Sequence, residues 1–418
     1  MKNRKALLLL SLGLAAILLL PACGAAAAGD LMAGVKAAEK PASPDEPDAA
    51  YLDSVANFTW NLFRESARDP GSVLVSPASV YLALAMTLNG AATTTRMAML
   101  EAMSAANLTL DDLNRASRDW MTLLMNTNST TRLSIANSIW YRQGFDADLA
   151  FLQKNADYFS AGAQALDFNQ ASAADTINRW VKKSTEGTIE KIVESIDPMV
   201  VMYLINAVYF KADWQTVFDA DKTSDGLFAG PAGEVAAQFM NRTGSMDYLS
   251  NDFGEGVLLP YQDGRFAFMA FLPREGSQPR DLIAAMPVEQ LTGLLNGRQS
   301  AEVSLSLPKF TSKYEVSLLE GLKNLGMGIA FEPGAADFSL MNTSRAKNLY
   351  ISEIKHKTFC RVDELGTEAA AVTSVEVSLT SMPFSDVQLV FDRPFIYAIV
   401  DTTTGVPLFL GIMENPAE

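Results

Sequence analysis

Along residues 51–67, apolar side chains fall at 52, 55, 58, 62 and 63, the spacing of one face of an amphipathic helix. A second helix is predicted over 80–89. Ser76-Pro77-Ala78-Ser79 opens it, with Ser76 as N-cap and Pro77 in the first helical position, and Gly90 ends it. Residues 111–125 and 148–159 read as further helices, and 177–183 sets Ile177, Trp180 and Val181 on one face. From Val200 the pattern changes. Residues 200–210 are β-branched, aromatic and aliphatic, interrupted by Asn206 alone, which suits a strand covered on both faces in the middle of a sheet. Strands are predicted again at 256–259, 266–272, 302–307, 387–391, 395–401 and 408–413. Helices early and strands late, without strict alternation or an internal repeat, predict an α+β fold.

Residues 355–380 carry a separate signal. Before Gly366, Phe359 and Val362 are set against Lys357, Arg361 and Asp363, which predicts a strand running up to a loop, with Cys360 a small buried apolar residue in it. After Gly366 the run divides into two alternating sets. Thr367, Ala369, Ala371, Thr373, Val375 and Val377 are small or apolar, whereas Glu368, Ala370, Val372, Ser374, Glu376 and Ser378 hold both carboxylates. That is the two-faced pattern of a half-buried strand. No Gly or Pro interrupts it between Gly366 and Pro383. On the residues alone, an ordinary strand satisfies the pattern equally well.

The N-terminus supplies an address. A basic start, Met1 to Lys5, leads into an apolar run over 6–20 that is too short for a comfortable membrane span, so 1–22 reads as a secretory signal. Leu20-Pro21-Ala22-Cys23-Gly24 resembles a bacterial lipobox, which implies lipid attachment at Cys23 and a lipoprotein anchored to the cell envelope, on its extracellular or periplasmic face; the alternative is a plain signal cleaved nearby. Residues 23–49 are rich in Ala, Gly and Pro and read as a flexible tether. Residues 50–416, without a second linker, read as one domain. Loss of Lys2, Arg4 and Lys5 with the signal takes the net charge from −15 to −18, which argues against a nucleic-acid partner because phosphates would be repelled.

Catalytic chemistry is poorly provided for. The single histidine, His356, lies in a strand pattern, and no G-x-S-x-G, H-E-x-x-H, cysteine pair or G-x-x-x-x-G-K-[ST] is present. The expectation is a protein that is not an enzyme, with no metal and no cofactor.

Several blocks together resemble the serpin family. Glu364-Leu365-Gly366-Thr367-Glu368-Ala369-Ala370-Ala371 resembles the hinge of its inhibitory members. Residues 391–395 (FDRPF) and Leu408-Phe409-Leu410-Gly411 through Asn415-Pro416 resemble its C-terminal signature, residues 204–214 the central strand of its large sheet, 76–79 the start of its second helix, and 352–357 the strand leading to its loop. The resemblance implies three β-sheets, about nine helices and an exposed reactive-centre loop over 366–381. It implies a suicide inhibitor of serine and also cysteine proteases, in which the cut loop inserts into the large sheet and traps the acyl-enzyme. By the same likeness, Ser76, Ser79, Asn206 and His356 form a polar cluster beneath the sheet. Trp214, Lys309 and Glu364 form a group at its opening, where a Lys–Glu pair holds the empty sheet shut. Counting from the hinge puts the scissile bond at Thr380-Ser381, with Leu379 or Met382 as alternative bait residues. Thr380 suits a small primary pocket, as in elastase-like or subtilisin-like enzymes, while Leu379 or Met382 suits chymotrypsin-like ones. The expected molecule is a monomer held to a membrane through its lipid. The competing readings are a non-inhibitory serpin-fold binding protein, for which the intact hinge is the wrong signature, and a solute-binding lipoprotein, for which the βαβ alternation is missing.

Overall fold

Helices are bunched in the first half of the chain and strands in the second, as the period change predicts. A computed structural model describes residues 29–32, 34–197, 200–367 and 386–417. In chain order these form β1 (Gly29–Asp30), α1 (Ala49–Ser66), β2 (Val73–Val75), α2 (Pro77–Leu88), α3 (Thr93–Ala102), α4 (Leu110–Met125), β3 (Thr131–Arg142), α5 (Leu149–Phe159), β4 (Gly162–Leu166), α6 (Ser172–Ser184), β5 (Met202–Asp213), β6 (Ser224–Gly230) and β7 (Gly233–Asn251). Then follow β8 (Gly254–Pro260), β9 (Phe266–Pro273), α7 (Pro279–Ala285), α8 (Val288–Asn296), β10 (Gln299–Pro308), β11 (Phe310–Ser317), α9 (Leu319–Leu322), β12 (Glu353–Val362), β13 (Gly366–Thr367), β14 (Val387–Val390), β15 (Phe395–Asp401) and β16 (Val406–Met413).

The strands build an α+β fold from two hydrogen-bonded networks. One runs β1-β4-β3-β5-β13-β12-β11, the other β14-β10-β7-β8-β9-β15-β16-β2 with β6 beside β7. The nineteen-residue β7 joins two parts of the second network. It pairs with β6 at its start, with β10 from Phe239 to Tyr248, and with β8 from Asp247 onward. The small β6–β7–β10–β14 part, the larger β8–β2 part and the first network are the three sheets expected.

Burial explains the layering. All twelve residues of α2 are buried, so it forms the central helix behind the first sheet, apolar on every side. α1 buries Tyr51, Val55, Phe58 and Leu62 beside it, and Asp48 caps its start by accepting from the Tyr51 N–H at 2.8 Å. Ser76 departs from expectation. Its hydroxyl does not cap α2 but donates to the Leu408 carbonyl at 2.7 Å, because the helix start is buried against β16. Gly90 follows a C-cap at Asn89; its lack of a side chain makes room for Met341, whose Cγ would lie 2.2 Å from a Cβ there.

β12 also corrects the sequence pattern. Its buried phase is Ile354, His356, Thr358, Cys360 and Val362, and Phe359 lies on the opposite face with Lys357 and Arg361. On β5, Met202, Leu204, Val208, Phe210 and Ala212 point into the main core, whereas Tyr203, Ile205 and Ala207 pack with Ile177 and Val181 of α6 on the outer face. Within the stretch read as a tether, Gly29, Asp30, Leu31 and Ala38 are bonded to the body. β1 pairs with β4, Leu31 donates to the Ala163 carbonyl, and the Ala38 N–H donates to Asp157 at 2.8 Å.

Candidate functional site: a partly open sheet

The middle of the first sheet is joined at one end and split at the other. β5 and β12 lie side by side and parallel only from Tyr203–Glu353 to Ala207–Lys357. Beyond this point no pairing joins Val208–Lys211 to Thr358–Arg361 among the described residues. At the far end the two strands are spaced by β13, antiparallel to both, with Thr367 between Ala212 and Val362 and Gly366 beside Asp213. The result is a wedge four residues deep, or ~13 Å at ~3.3 Å per residue.

At the point of the wedge lies the polar cluster. His356 is fully buried; its Nε2 accepts from the Ser76 N–H at 3.0 Å, so Nδ1 carries the proton and donates to Asn206 Oδ1 at 3.1 Å. Burial drives its pKa down to about 3, which keeps the ring neutral. Ser79 Oγ donates to Asn206 Oδ1 at 2.7 Å, and the Asn206 amide donates to the Ser79 carbonyl at 3.1 Å and to Asn137 Oδ1 at 2.7 Å. Ser76, Ser79, Asn206 and His356 therefore form one connected network from α2 through β5 to β12. Asn206 interrupts its apolar strand because these bonds need a side-chain amide at the junction. Asn137 belongs to the same network and is not marked by the sequence; it sits in β3 where the alternation of 131–136 gives way to burial on both faces.

At the mouth, Lys309 Nζ lies 3.0 Å from Glu364 Oε1, which also accepts from Thr223 at 2.8 Å. Burial pushes the Glu364 carboxyl up, but its backbone N–H, Lys309 and Thr223 outweigh this and hold it below the usual carboxylate range. Trp214 Nε1 donates to the Asp363 carbonyl at 2.8 Å, and its backbone N–H to the Leu365 carbonyl at 2.9 Å. Its ring stacks on Tyr261 with centroids 4.8 Å apart and planes 4° from parallel.

Tyr261 is the contact the sequence does not reveal. Its buried hydroxyl lies 2.5 Å from Thr367 Oγ1, fixing the hinge inside the sheet. Gly366 is required beside it, since a Cβ there would fall 2.1 Å from the Ala212 carbonyl oxygen. Glu368, Ala369, Ala370, Ala371, Leu379, Thr380, Ser381, Met382 and Cys23 lie outside the described residues.

The first sheet is thus split between β5 and β12, with Gly366 and Thr367 seated between the parted strands. The model of the Serpin (serine protease inhibitor) family matches residues 53–416. An uncharacterized serpin-like protein of Thermococcus kodakarensis is 32% identical over 373 residues, 88% of this chain and 86% of its own. The native thermophilic serpin tengpin superimposes with a TM-score of 0.87 at 38% identity, over 93% of this chain and 99% of its own, against 0.78 at 37% identity for its latent state, over 89% and 99%. Human thyroxine-binding globulin with its hormone gives 0.81 at 26% identity, over 88% of this chain and 99% of its own. The chain belongs to the serpin family, whose members in general are protease inhibitors and take proteases as partners.

Proposed function

We propose that this chain is a suicide-substrate inhibitor of serine proteases, and also of cysteine proteases, whose cut loop enters the first sheet between β5 and β12. The observation that carries the reading is the wedge: two strands parted over four residues with Gly366 and Thr367 already in the ladder. Residues 367–380 as a strand span roughly 46 Å at ~3.3 Å per residue, enough to carry a protease bound at Thr380 from the mouth of the sheet to its other end. Each ladder bond gained adds ~1 kcal/mol, and the small face Thr367, Ala369, Ala371, Thr373, Val375 is buried as it enters. Opening breaks the His356–Asn206 and Lys309–Glu364 contacts, which hold the sheet closed until then. The bait bond is Thr380-Ser381, with Leu379 and Met382 as alternatives, for a protease with a small or medium apolar primary pocket. A lipid at Cys23 anchors the monomer to the envelope.

The test uses residues 24–418 with elastase, subtilisin, chymotrypsin and trypsin, followed by denaturing gels and the mass of the released C-terminal peptide. Complexes that survive denaturation are expected with at least one of the first three, and the peptide's first residue identifies the bond. Clean cleavage by all four without a complex would overturn the reading in favour of a binding-only protein, the alternative that likeness to thyroxine-binding globulin keeps open. Thr367→Arg forces a long cation into a fully buried site beside Tyr261 and is expected to abolish complexes while leaving cleavage intact.

A further inference from the structure

β1 fixes the end of the molecule at which the N-terminal segment joins the body. It pairs Gly29 with Ala165 of β4; Ala165 lies beside Tyr141 of β3, and Tyr141 beside Met202 of β5. Met202 is the first residue of β5, and the mouth of the wedge is at the other end of that strand, where Thr131 and Thr367 flank Ala212. From Met202 to Ala212 is ten residue steps, or ~33 Å at ~3.3 Å per residue. Beyond Gly29 the segment climbs towards the mouth. Leu31 donates to the Ala163 carbonyl at 3.1 Å, Gln153 of α5 donates to the Lys36 carbonyl at 2.7 Å, and the Ala38 N–H donates to Asp157, one turn further along α5. Leu31, Met32 and Val35 pack on the main core along this path.

The same closed end is built from the turns 143–148 after β3 and 167–170 after β4, and from residues 342–345, which join the first of them through the Asn342–Ala147 bridge and the Arg345–Asp148 ion pair at 2.6 Å. Leu149, the first residue of α5, follows directly, and at 66% exposure it is the most exposed large apolar side chain among the described residues. Charge does not draw this end to anionic lipid, since Asp146, Asp148 and Asp167 outnumber Arg345 in these turns. Length is what binds it. Residues 24–28 alone separate Cys23 from Gly29, and six steps of chain span at most ~22 Å. Were the mouth resting on a bilayer that holds a lipid at Cys23, Gly29 would stand ~33 Å above it, beyond that reach.

We infer that the closed end of the first sheet is a membrane-facing surface: the short link from Cys23 holds it against the bilayer, with Leu149 at the contact and the mouth turned to solvent. This rests on the lipid anchor proposed above. The test floats the full chain, made in bacteria, with phosphatidylcholine vesicles whose headgroups carry a nitroxide, a contact quencher. A fluorophore is placed on Leu149→Cys or on Gln215→Cys, the latter exposed just beyond the mouth; Cys360 is buried and takes no label. The label at 149 is expected to lose about half of its emission, and that at 215, ~33 Å further from the lipid, less than about a tenth. An insertion of ~30 Gly and Ser residues between 28 and 29, with an r.m.s. reach of ~30 Å, is expected to abolish the difference. Equal quenching at the two positions, stronger quenching at 215, or a difference that survives the insertion would overturn the assignment. Equal flotation of the full chain and Cys23→Ala would overturn the lipid reading and the bilayer contact with it. The same labels on a chain held to nickel-chelating lipid by a His tag ending at residue 23 then show whether the short link alone selects this end, so that a missing anchor and a wrong orientation are told apart.

Discussion

His356 ties the closed end of the wedge to pH. In the unfolded chain its imidazole titrates near ~6.5, and in the folded chain burial lowers this to about 3. Below pH ~6.5 the unfolded chain takes up a proton that the native state refuses. Native stability therefore falls as pH drops from ~6.5 towards 3, by about 1.4 kcal/mol per unit from this group. Above pH ~6.5 it contributes no slope. His356→Asn is expected to be less stable at neutral pH, because the buried Ser76 N–H loses its acceptor, a loss of about 1–3 kcal/mol. It should nevertheless show a flatter pH dependence than the parent between pH 6.5 and 4. Denaturant unfolding at pH 7, 6, 5 and 4 measures both; parallel curves for the two chains would remove the imidazole from the account. Glu364, whose carboxyl is held low, adds slope at more acid pH in both chains and cancels in the comparison.

Among the elements, α6 covers the closed end of the wedge, and on the inhibitor reading it restrains how readily the wedge deepens. It packs Ile177 and Val181 over Tyr203, Ile205 and Ala207, the stretch of β5 still paired with β12. Any strand entering between them has to displace that packing. Ile177→Ala is expected to destabilise the native state by about 2–5 kcal/mol and to speed the loss of inhibitory activity on warming, as uncut loop slides into the sheet. An unchanged inactivation rate would show that α6 does not restrain entry. The helix was legible in the sequence because its apolar stripe keeps one period, and β5 because a single amide stands in an apolar run. β7 was not: over nineteen residues it serves three successive partners, and its burial follows those neighbours rather than an alternation of its own. β3 was missed for a related reason, since it is buried on both faces near its end but carries Ser134, Asn137 and Ser138 within it. Tyr261 left no trace at all, because its role depends on a partner 106 residues away. The polar cluster and the mouth residues could be named only through family likeness; the individual bonds between them are properties of the folded chain.

For the molecule as a whole, the inhibitor reading implies that the native arrangement is not the most fully bonded one available. Among the described residues no strand pairs with the facing edges of Val208–Lys211 and Thr358–Arg361, and the sequence after Thr367 has the alternation of a strand. On the inhibitor reading, cutting the loop at its bait bond frees that segment. The nicked chain is expected to melt more than ~15 °C above the uncut one, on the scale at which a few degrees correspond to 1 kcal/mol in a large domain. Calorimetry before and after limited elastase treatment checks this, and equal melting temperatures would mean that the cut loop stays outside.

The two residues of β13 also bear on time. Joining two distant pieces of chain ordinarily begins with a search, whose entropy grows with the length of the intervening loop. Here Gly366 and Thr367 already pair with both strands, so on the inhibitor reading no search precedes entry. What remains is a zipper whose pace is set by how fast β5 and β12 separate below Ala207 and Lys357. On the inhibitor reading proposed above, the contest with hydrolysis of the acyl bond is one between unzipping and water attack, and diffusion of the loop drops out of it.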